Sequence, residues 1–97
     1  MNYPQRKCIA IDIDDTLIGK GKLNKVVYDL AKQRLAEGWE VVLWSARGKD
    51  YAQEIATKHG IADAFSMVMG KPSVIVDDKG WSWIKYTKAI HPKQLAR

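Results

Sequence analysis

The sequence has a single cysteine, Cys8, and no long apolar run. One cysteine excludes an intramolecular disulfide, and with it the class of small secreted domains that disulfides stabilise. No apolar stretch approaches the roughly 20 residues that a membrane-spanning helix needs, and residues 1–7 lack the apolar core of a signal peptide. We therefore expect a cytoplasmic protein with no membrane partner, and we expect Cys8 to be a small residue of the core.

Long runs of like charge are also missing. The chain carries 16 basic and 11 acidic residues, a net charge of +5, but no run of about five or more like charges forms a nucleic-acid arm. A modest positive excess favours acidic partners such as phosphorylated metabolites or nucleic acid, and a solvated lysine-rich surface explains it too. At 97 residues we expect one domain, residues 1–97, with one core.

Four short apolar runs are typical of buried strands. They cover residues 8–13, 41–44, 65–69 and 74–76. Two intervening stretches carry apolar residues at helical spacing. The first runs from Leu23 to Glu37, with Asn24 as N-cap and Gly38 as its stop. The second begins with Asp50 as its N-cap and ends at His59-Gly60. Residues 81–90 fit a helix or an edge strand.

The alternation of strands and helices predicts an α/β fold with a Rossmann-like parallel sheet, three layers and helices on both faces. In such sheets the ligand site lies at the carboxyl ends of the strands. Polar residues follow three of the predicted strands at that edge. They are Asp12 and Asp14, then Ser45 and Arg47, and then Asp77 and Asp78.

The two acidic groups carry the strongest chemical signal. A carboxylate inside an apolar strand is costly unless a cation compensates it, and a spacing of two places Asp12 and Asp14 on one side of the strand. A turn capped by Asp15 and Thr16 is the alternative interpretation. The pair after residues 74–76 favours a shared carboxylate site instead, because hard oxygen ligands suit Mg²⁺.

These motifs resemble those of the haloacid dehalogenase superfamily of phosphatases, in its short members without a cap domain. Asp12, Asp14 and Thr16 match the first motif, and the strand that ends at Ser45 matches the second. The strand before the paired acids matches the last, so the resemblance covers about residues 7–79. It implies a magnesium-dependent phosphomonoester hydrolase with an aspartyl-phosphate intermediate.

The resemblance also implies a role for each matched residue. Asp12 is the nucleophile that becomes phosphorylated, and Asp14 is the general acid and base. Ser45 binds a phosphoryl oxygen, with a cap on the next helix as its alternative role. Mg²⁺ is held by Asp12, by the carbonyl of Asp14 and by Asp77, with Asp78 as a direct or water-mediated ligand.

The cation that grips the phosphate has two candidates. Lys71, in the segment Gly70-Lys71-Pro72-Ser73, matches the family's third motif. If the chain then runs extended to Asp77, at roughly 3.3 Å per residue, Lys71 lies about 20 Å from the acids at the wrong end of the sheet. Arg47 follows Ser45 at the correct end. We prefer Lys71 on the motif and retain Arg47 as a substrate-binding residue.

The expected substrate is a sugar phosphate or another small phosphoester. A nucleic-acid end with a 3′-phosphate is the alternative substrate, and a phospho-accepting or metal-binding regulatory module is the non-enzymatic alternative. Receiver modules carry their phospho-acceptor after the third strand, whereas residues 65–70 contain no acid. Without a cap, the open site would be covered by a large substrate, by a flap at residues 19–22 or by a second subunit of a homo-oligomer. A plain solvated turn is the alternative interpretation of residues 19–22.

Overall fold

A three-stranded parallel sheet forms the centre of the protein in the computed structural model, which describes residues 3–95. Its strands are β1 (Cys8–Asp12), β4 (Glu40–Ser45) and β5 (Met67–Gly70), in the order β1-β4-β5. The register pairs Asp12 with Trp44 and Ser45 with Gly70. The carboxyl ends of all three strands therefore meet at one edge, as the α/β prediction requires. The first and last two residues of the predicted domain lie outside the described residues.

Helix α1 (Lys25–Ala36) connects β1 to β4 and begins where the sequence predicts. The side-chain oxygen of Asn24 accepts hydrogen bonds from the N–H groups of Val26, at 3.1 Å, and Val27, at 3.3 Å. These bonds satisfy donors that the first turn of a helix leaves without partners. Gly38 takes a φ of 89° just beyond the helix, a conformation that glycine adopts without strain. The predicted cap and stop are confirmed.

Helix α2 (Lys49–Lys58) connects β4 to β5. Its N-cap is Gly48, with φ of 101°, and not Asp50. The carboxylate of Asp50 lies instead in the first turn, where the positive end of the helix dipole favours an acid. The predicted end is confirmed, because the helix stops at Lys58 and Gly60 follows with φ of 65°.

The two α-helices cover one face of the sheet. Both crossovers advance in the same direction along the order β1-β4-β5, and right-handed crossovers then lie on the same face. Ile11 and Leu43, paired in register, are 4% and 0% exposed, whereas Cys8 and Ala10 point to the other face and are exposed. The prediction of Cys8 as a core residue was wrong, because its face is uncovered at β1.

The core lies between the covered face of the sheet and the helices. It also receives side chains from the loop after β1 and from a short 3₁₀ turn at Ala62–Ala64. Its buried members are Ile11, Ile13, Leu17, Val27, Ala31, Val41, Leu43, Ala52, Ala56, Ile61, Ala64 and Phe65. Full burial of one large aliphatic side chain stabilises a fold by about 1.5–3 kcal/mol. Within residues 3–95, no helix is long and apolar enough to cross a membrane.

The predicted fourth strand does not form. Val74 is 80% exposed and Val76 is 100% exposed, and neither lies in a strand. A parallel strand would require the chain to return to the amino end of the sheet, which takes a crossover of about a dozen residues or more. Only residues 71–73 separate it from β5. The chain continues exposed into 3₁₀ helices at Gly80–Tyr86 and Pro92–Gln94.

A hairpin lies between β1 and α1, where the sequence left room for a flap. Strand β2 (Ile18–Gly19) pairs antiparallel with β3 (Lys22–Leu23). Lys20 and Gly21 form the turn with φ of 53° and 75°, the positive values that a type I′ turn needs at both central positions. Residues 19–22 are therefore part of a paired hairpin.

Candidate functional site

The turn after β1 holds Asp14 at the carboxyl edge of the sheet. Ile13 and Leu17 are both buried in the core on either side of the turn, and the N–H of Ile18 donates to the carbonyl of Ile13 at 2.9 Å. Asp15 takes a φ of 61°, a left-handed conformation that aspartate tolerates better than most residues. The two buried side chains anchor the turn, so the backbone of Asp14 is held between fixed points.

Three side chains from three elements meet at this edge. The hydroxyl of Tyr51 donates a hydrogen bond of 2.7 Å to Oδ1 of Asp14. Oδ2 of Asp14 lies 3.7 Å from Nη1 of Arg47, and the guanidinium of Arg47 stacks 3.9 Å from the centre of the Tyr51 ring. We call these three residues the Asp14 cluster. Its short hydrogen bond to a carboxylate is of the stronger, charge-assisted kind, whereas the exposed ion pair contributes little.

The sequence analysis missed the part of Tyr51 in this cluster. Tyr51 lies in the first turn of α2, four residues after Arg47, so both side chains start from the carboxyl edge. The hydrogen bond to the Asp14 carboxylate, with a smaller contribution from desolvation, raises the pKa of Tyr51 above its ordinary value. Its hydroxyl therefore remains a donor at neutral pH. The signal in the sequence was a tyrosine in the first turn of the helix that follows the second predicted strand.

Ser45 ends β4 and is buried. Its Oγ accepts a hydrogen bond of 3.0 Å from the N–H of Arg47, and its carbonyl accepts from Gly48 at 3.0 Å and from Lys71 at 2.8 Å. Strand alternation places its side chain on the same face as Leu43. The Oγ contact closes a local turn and does not cap α2, because Gly48 is the N-cap and no side chain caps that helix. The capping role considered as the alternative is therefore wrong, and phosphate binding by Ser45 stays a prediction.

Lys71 follows β5 directly, at the same edge of the sheet as Asp12 and Ser45. The long distance predicted from Lys71 to Asp77 assumes that the chain between them forms a parallel strand. That assumption does not hold, because residues 74–76 form no strand. The Nζ of Lys71 lies 5.9 Å from the centre of the Trp44 ring, and Trp44 is the register partner of Asp12. The ammonium group is thus one strand away from the predicted nucleophile.

Asp12 is the last residue of β1 and is half-buried. Paired residues of parallel strands share a face, so its side chain lies on the face of Trp44 and Ala10. Across the described part of the chain, its carboxylate makes no hydrogen bond to a side chain and no ion pair. A half-buried carboxylate without such partners is available to a ligand or substrate.

Asp77 and Asp78 lie apart from this arrangement, on an exposed turn. The Oδ1 of Asp77 accepts a hydrogen bond of 2.8 Å from the N–H of Lys79, and its carbonyl accepts from Gly80 at 3.1 Å. Within residues 3–95, no group of three or more His, Cys, Asp or Glu side chains is placed to hold a metal ion. The structure thus brings Asp12 and Asp14 to one edge but does not assemble all four predicted ligands.

A groove of about 640 Å³ opens beside the Asp14 cluster. The turn of the β2–β3 hairpin forms one wall, and α2 forms the other. Charged side chains of both signs line it: Asp14, Asp15, Glu54, Lys20, Arg47 and Lys58. The volume lies within the roughly 300–1,000 Å³ of small-molecule sites. Of the predicted site residues, Asp14 and Arg47 line it, whereas Asp12, Ser45 and Lys71 do not.

Comparison with known proteins gives no match. No protein-family model fits the chain, and neither a curated protein nor a solved structure matches it. The resemblance to haloacid dehalogenases therefore rests on the sequence motifs alone.

Proposed function

We propose that this chain is a magnesium-dependent phosphomonoester hydrolase that forms an aspartyl phosphate on Asp12. One observation carries the proposal: Asp12, Asp14 and Lys71 lie at one edge of a parallel sheet, where such folds bind ligands. Among the described residues, the half-buried Asp12 carboxylate has no side-chain hydrogen bond and no ion pair, so it is free to react with a substrate. The proposal includes the three-layer form of the fold.

The reaction has two steps. In the first, the Asp12 carboxylate attacks phosphorus, the bond to the leaving oxygen breaks, and Asp14 donates a proton to that oxygen. In the second, Asp14 takes a proton from water, which attacks phosphorus and releases inorganic phosphate and free Asp12. Covalent catalysis of this kind divides one difficult step into two easier ones.

Mg²⁺ would be held by Asp12 and the carbonyl of Asp14, with Asp77 and Asp78 as further predicted ligands. Asp12 and Asp14 supply part of a magnesium coordination shell. Mg²⁺ is usually bound by one or two carboxylates, and waters and phosphate oxygens would complete the shell. When bound, it supplies positive charge at the phosphoryl oxygens.

Contacts of the two cations separate their proposed roles. The Lys71 ammonium lies against Trp44, the register partner of Asp12, and Lys71 has no carboxylate within 4.0 Å among the described residues. Arg47 instead contacts Asp14 and Tyr51. These contacts favour Lys71 as the cation that grips the phosphoryl group.

The groove favours a small phosphoester, such as a sugar phosphate, over a nucleic-acid end. Its carboxylates and its cationic side chains are equal in number. A nucleic-acid site instead presents an excess of positive charge along the phosphate backbone of its ligand. Hydroxyl groups of a small substrate can donate to Glu54 and accept from Lys58. The alternative of a 3′-phosphatase is tested by the same assay.

The test is phosphate release from a panel of phosphorylated sugars, nucleotides and 3′-phosphorylated oligonucleotides, with and without Mg²⁺. Asp12→Asn should abolish the activity, because an amide is not a nucleophile here. Asp29→Asn is the matched control, since it makes the same change on an exposed turn of α1 and should keep full activity. Retention of more than a few per cent by Asp12→Asn contradicts the proposal, and phosphorylation without turnover indicates a regulatory module.

A further inference from the structure

Tyr51 makes the shortest side-chain contact of the predicted acid. Its hydroxyl lies 2.7 Å from Oδ1 of Asp14, whereas the Arg47 guanidinium lies 3.7 Å from Oδ2. The first distance is that of a good hydrogen bond between a hydroxyl and a carboxylate, and the second is that of a loose ion pair. Tyr51 is therefore the stronger of the two restraints on the Asp14 side chain.

The tyrosine is itself held in place from two sides. Its backbone belongs to α2, which packs against the sheet through the buried Ala52 and Ala56. Its ring is stacked by Arg47 at 3.9 Å, a distance well within the range of cation–π contacts. A donor on a packed helix with a stacked ring can fix a partner that lies on a loop.

We propose that Tyr51 is a positioning residue that holds the Asp14 carboxylate toward the groove in which the leaving group of the substrate binds. The inference rests on the proposed function, because it assigns Tyr51 a part in the proton transfer by Asp14. Asp14, Tyr51 and the groove are contiguous, since both residues line the groove wall. The Tyr51 hydroxyl donates a hydrogen bond to Asp14, keeps its proton and takes no part in bond making or breaking.

Such a role makes the effect of Tyr51→Phe depend on the leaving group. An alkyl alcohol must be protonated as it leaves, so a misplaced acid slows its departure, whereas p-nitrophenolate leaves without a proton. We expect Tyr51→Phe to slow phospho-enzyme formation from glycerol phosphate by about tenfold or more. A general acid typically contributes about 10²–10⁴-fold to the rate, and a misplaced acid loses part of that contribution. With p-nitrophenyl phosphate this step should change less than about twofold, and KM should stay nearly constant for both.

Tyr28→Phe is the matched control. It removes the same hydroxyl from a half-buried tyrosine of α1, whose ring contacts Lys32 and whose hydroxyl makes no hydrogen bond within residues 3–95. Rapid-quench kinetics on both variants should show the loss in Tyr51→Phe alone. An equal loss with both substrates, or a change confined to KM, overturns the positioning role and indicates a structural one.

A second measurement needs no turnover. Three-bond NMR couplings report whether the Asp14 side chain keeps one χ1 rotamer. We expect one rotamer in the wild type and in Tyr28→Phe, and averaging in Tyr51→Phe. Averaging already in the wild type, or a fixed rotamer in Tyr51→Phe, overturns the inference. A wild type with a fixed rotamer but no phosphatase activity refutes the proposed function instead, so the two failures are distinguishable.

Discussion

Val41→Ala and Val76→Ala make the same change in an observed strand and in a predicted one, and their effects on stability should differ widely. Val41 is 0% exposed in β4, whereas Val76 is 100% exposed beyond β5. At about 0.8 kcal/mol per buried carbon, loss of two carbons costs roughly 1.6 kcal/mol before the cavity is counted. With the cavity, we expect Val41→Ala to lower the free energy of unfolding by about 2–3 kcal/mol. Val76→Ala should stay within about 0.5 kcal/mol of the wild type.

Urea unfolding followed by circular dichroism measures both values under one set of conditions. In a domain of this size, 1 kcal/mol corresponds to about 4–8 °C in Tm, so Val41→Ala should melt at least about 8 °C below the wild type. A loss above about 1 kcal/mol in Val76→Ala would mean that residues 74–76 are buried. That result would refute the exposed placement of this segment and restore the fourth strand.

Three further predictions test the helix cap, the uncovered sheet face and the phosphate-binding cation. Asn24→Ala should lower the free energy of unfolding by about 1 kcal/mol, measured by urea titration, because it removes the hydrogen-bond acceptor at the start of α1. Partial desolvation and the nearby Glu40 carboxylate raise the pKa of the exposed Cys8 thiol, so iodoacetamide should modify the folded protein slowly at neutral pH and faster as pH rises. Glu40→Gln should speed that modification, and no reaction without denaturant would contradict the exposure of Cys8. Lys71→Met should lower turnover by about 10²–10³-fold and Arg47→Met only several-fold. Near-wild-type turnover in Lys71→Met would exclude it as the cation.

The local elements of the fold could be predicted from the sequence because their signals are local. Asn24 and Gly38 fix the ends of α1 through their own conformations and hydrogen bonds. The apolar run Val74–Val76 predicted a strand by composition alone, but a strand also needs a neighbour that the chain can reach. The three residues after β5 are too few for a parallel crossover. Cys8 was misplaced for a similar reason, since a strand pattern does not tell which face the helices leave open.

The candidate site shows the same limit. Asp12, Asp14 and Ser45 could be predicted at one edge, since each ends or follows an apolar strand and parallel strands align their ends. Lys71 also lies at that edge, although an extended run to Asp77 placed it at the opposite end. Tyr51 was missed because its contact with Asp14 spans 37 positions in sequence. Such contacts depend on how α2 packs, and no local spacing encodes that. The roles of Asp77 and Asp78 depend on the position of the segment that follows β5, which is also set by tertiary packing.

The most direct test of the account asks whether Asp12 carries the phosphoryl group. Asp14→Asn should retain the nucleophile and lose the base, so that p-nitrophenyl phosphate with Mg²⁺ leaves the phospho-enzyme trapped. Borohydride reduction of the quenched protein converts an aspartyl phosphate to homoserine, which peptide mass spectrometry locates. We expect homoserine at position 12 and at no other aspartate, and none in Asp12→Asn. Nitrophenolate release with no homoserine at position 12 would contradict the proposed mechanism.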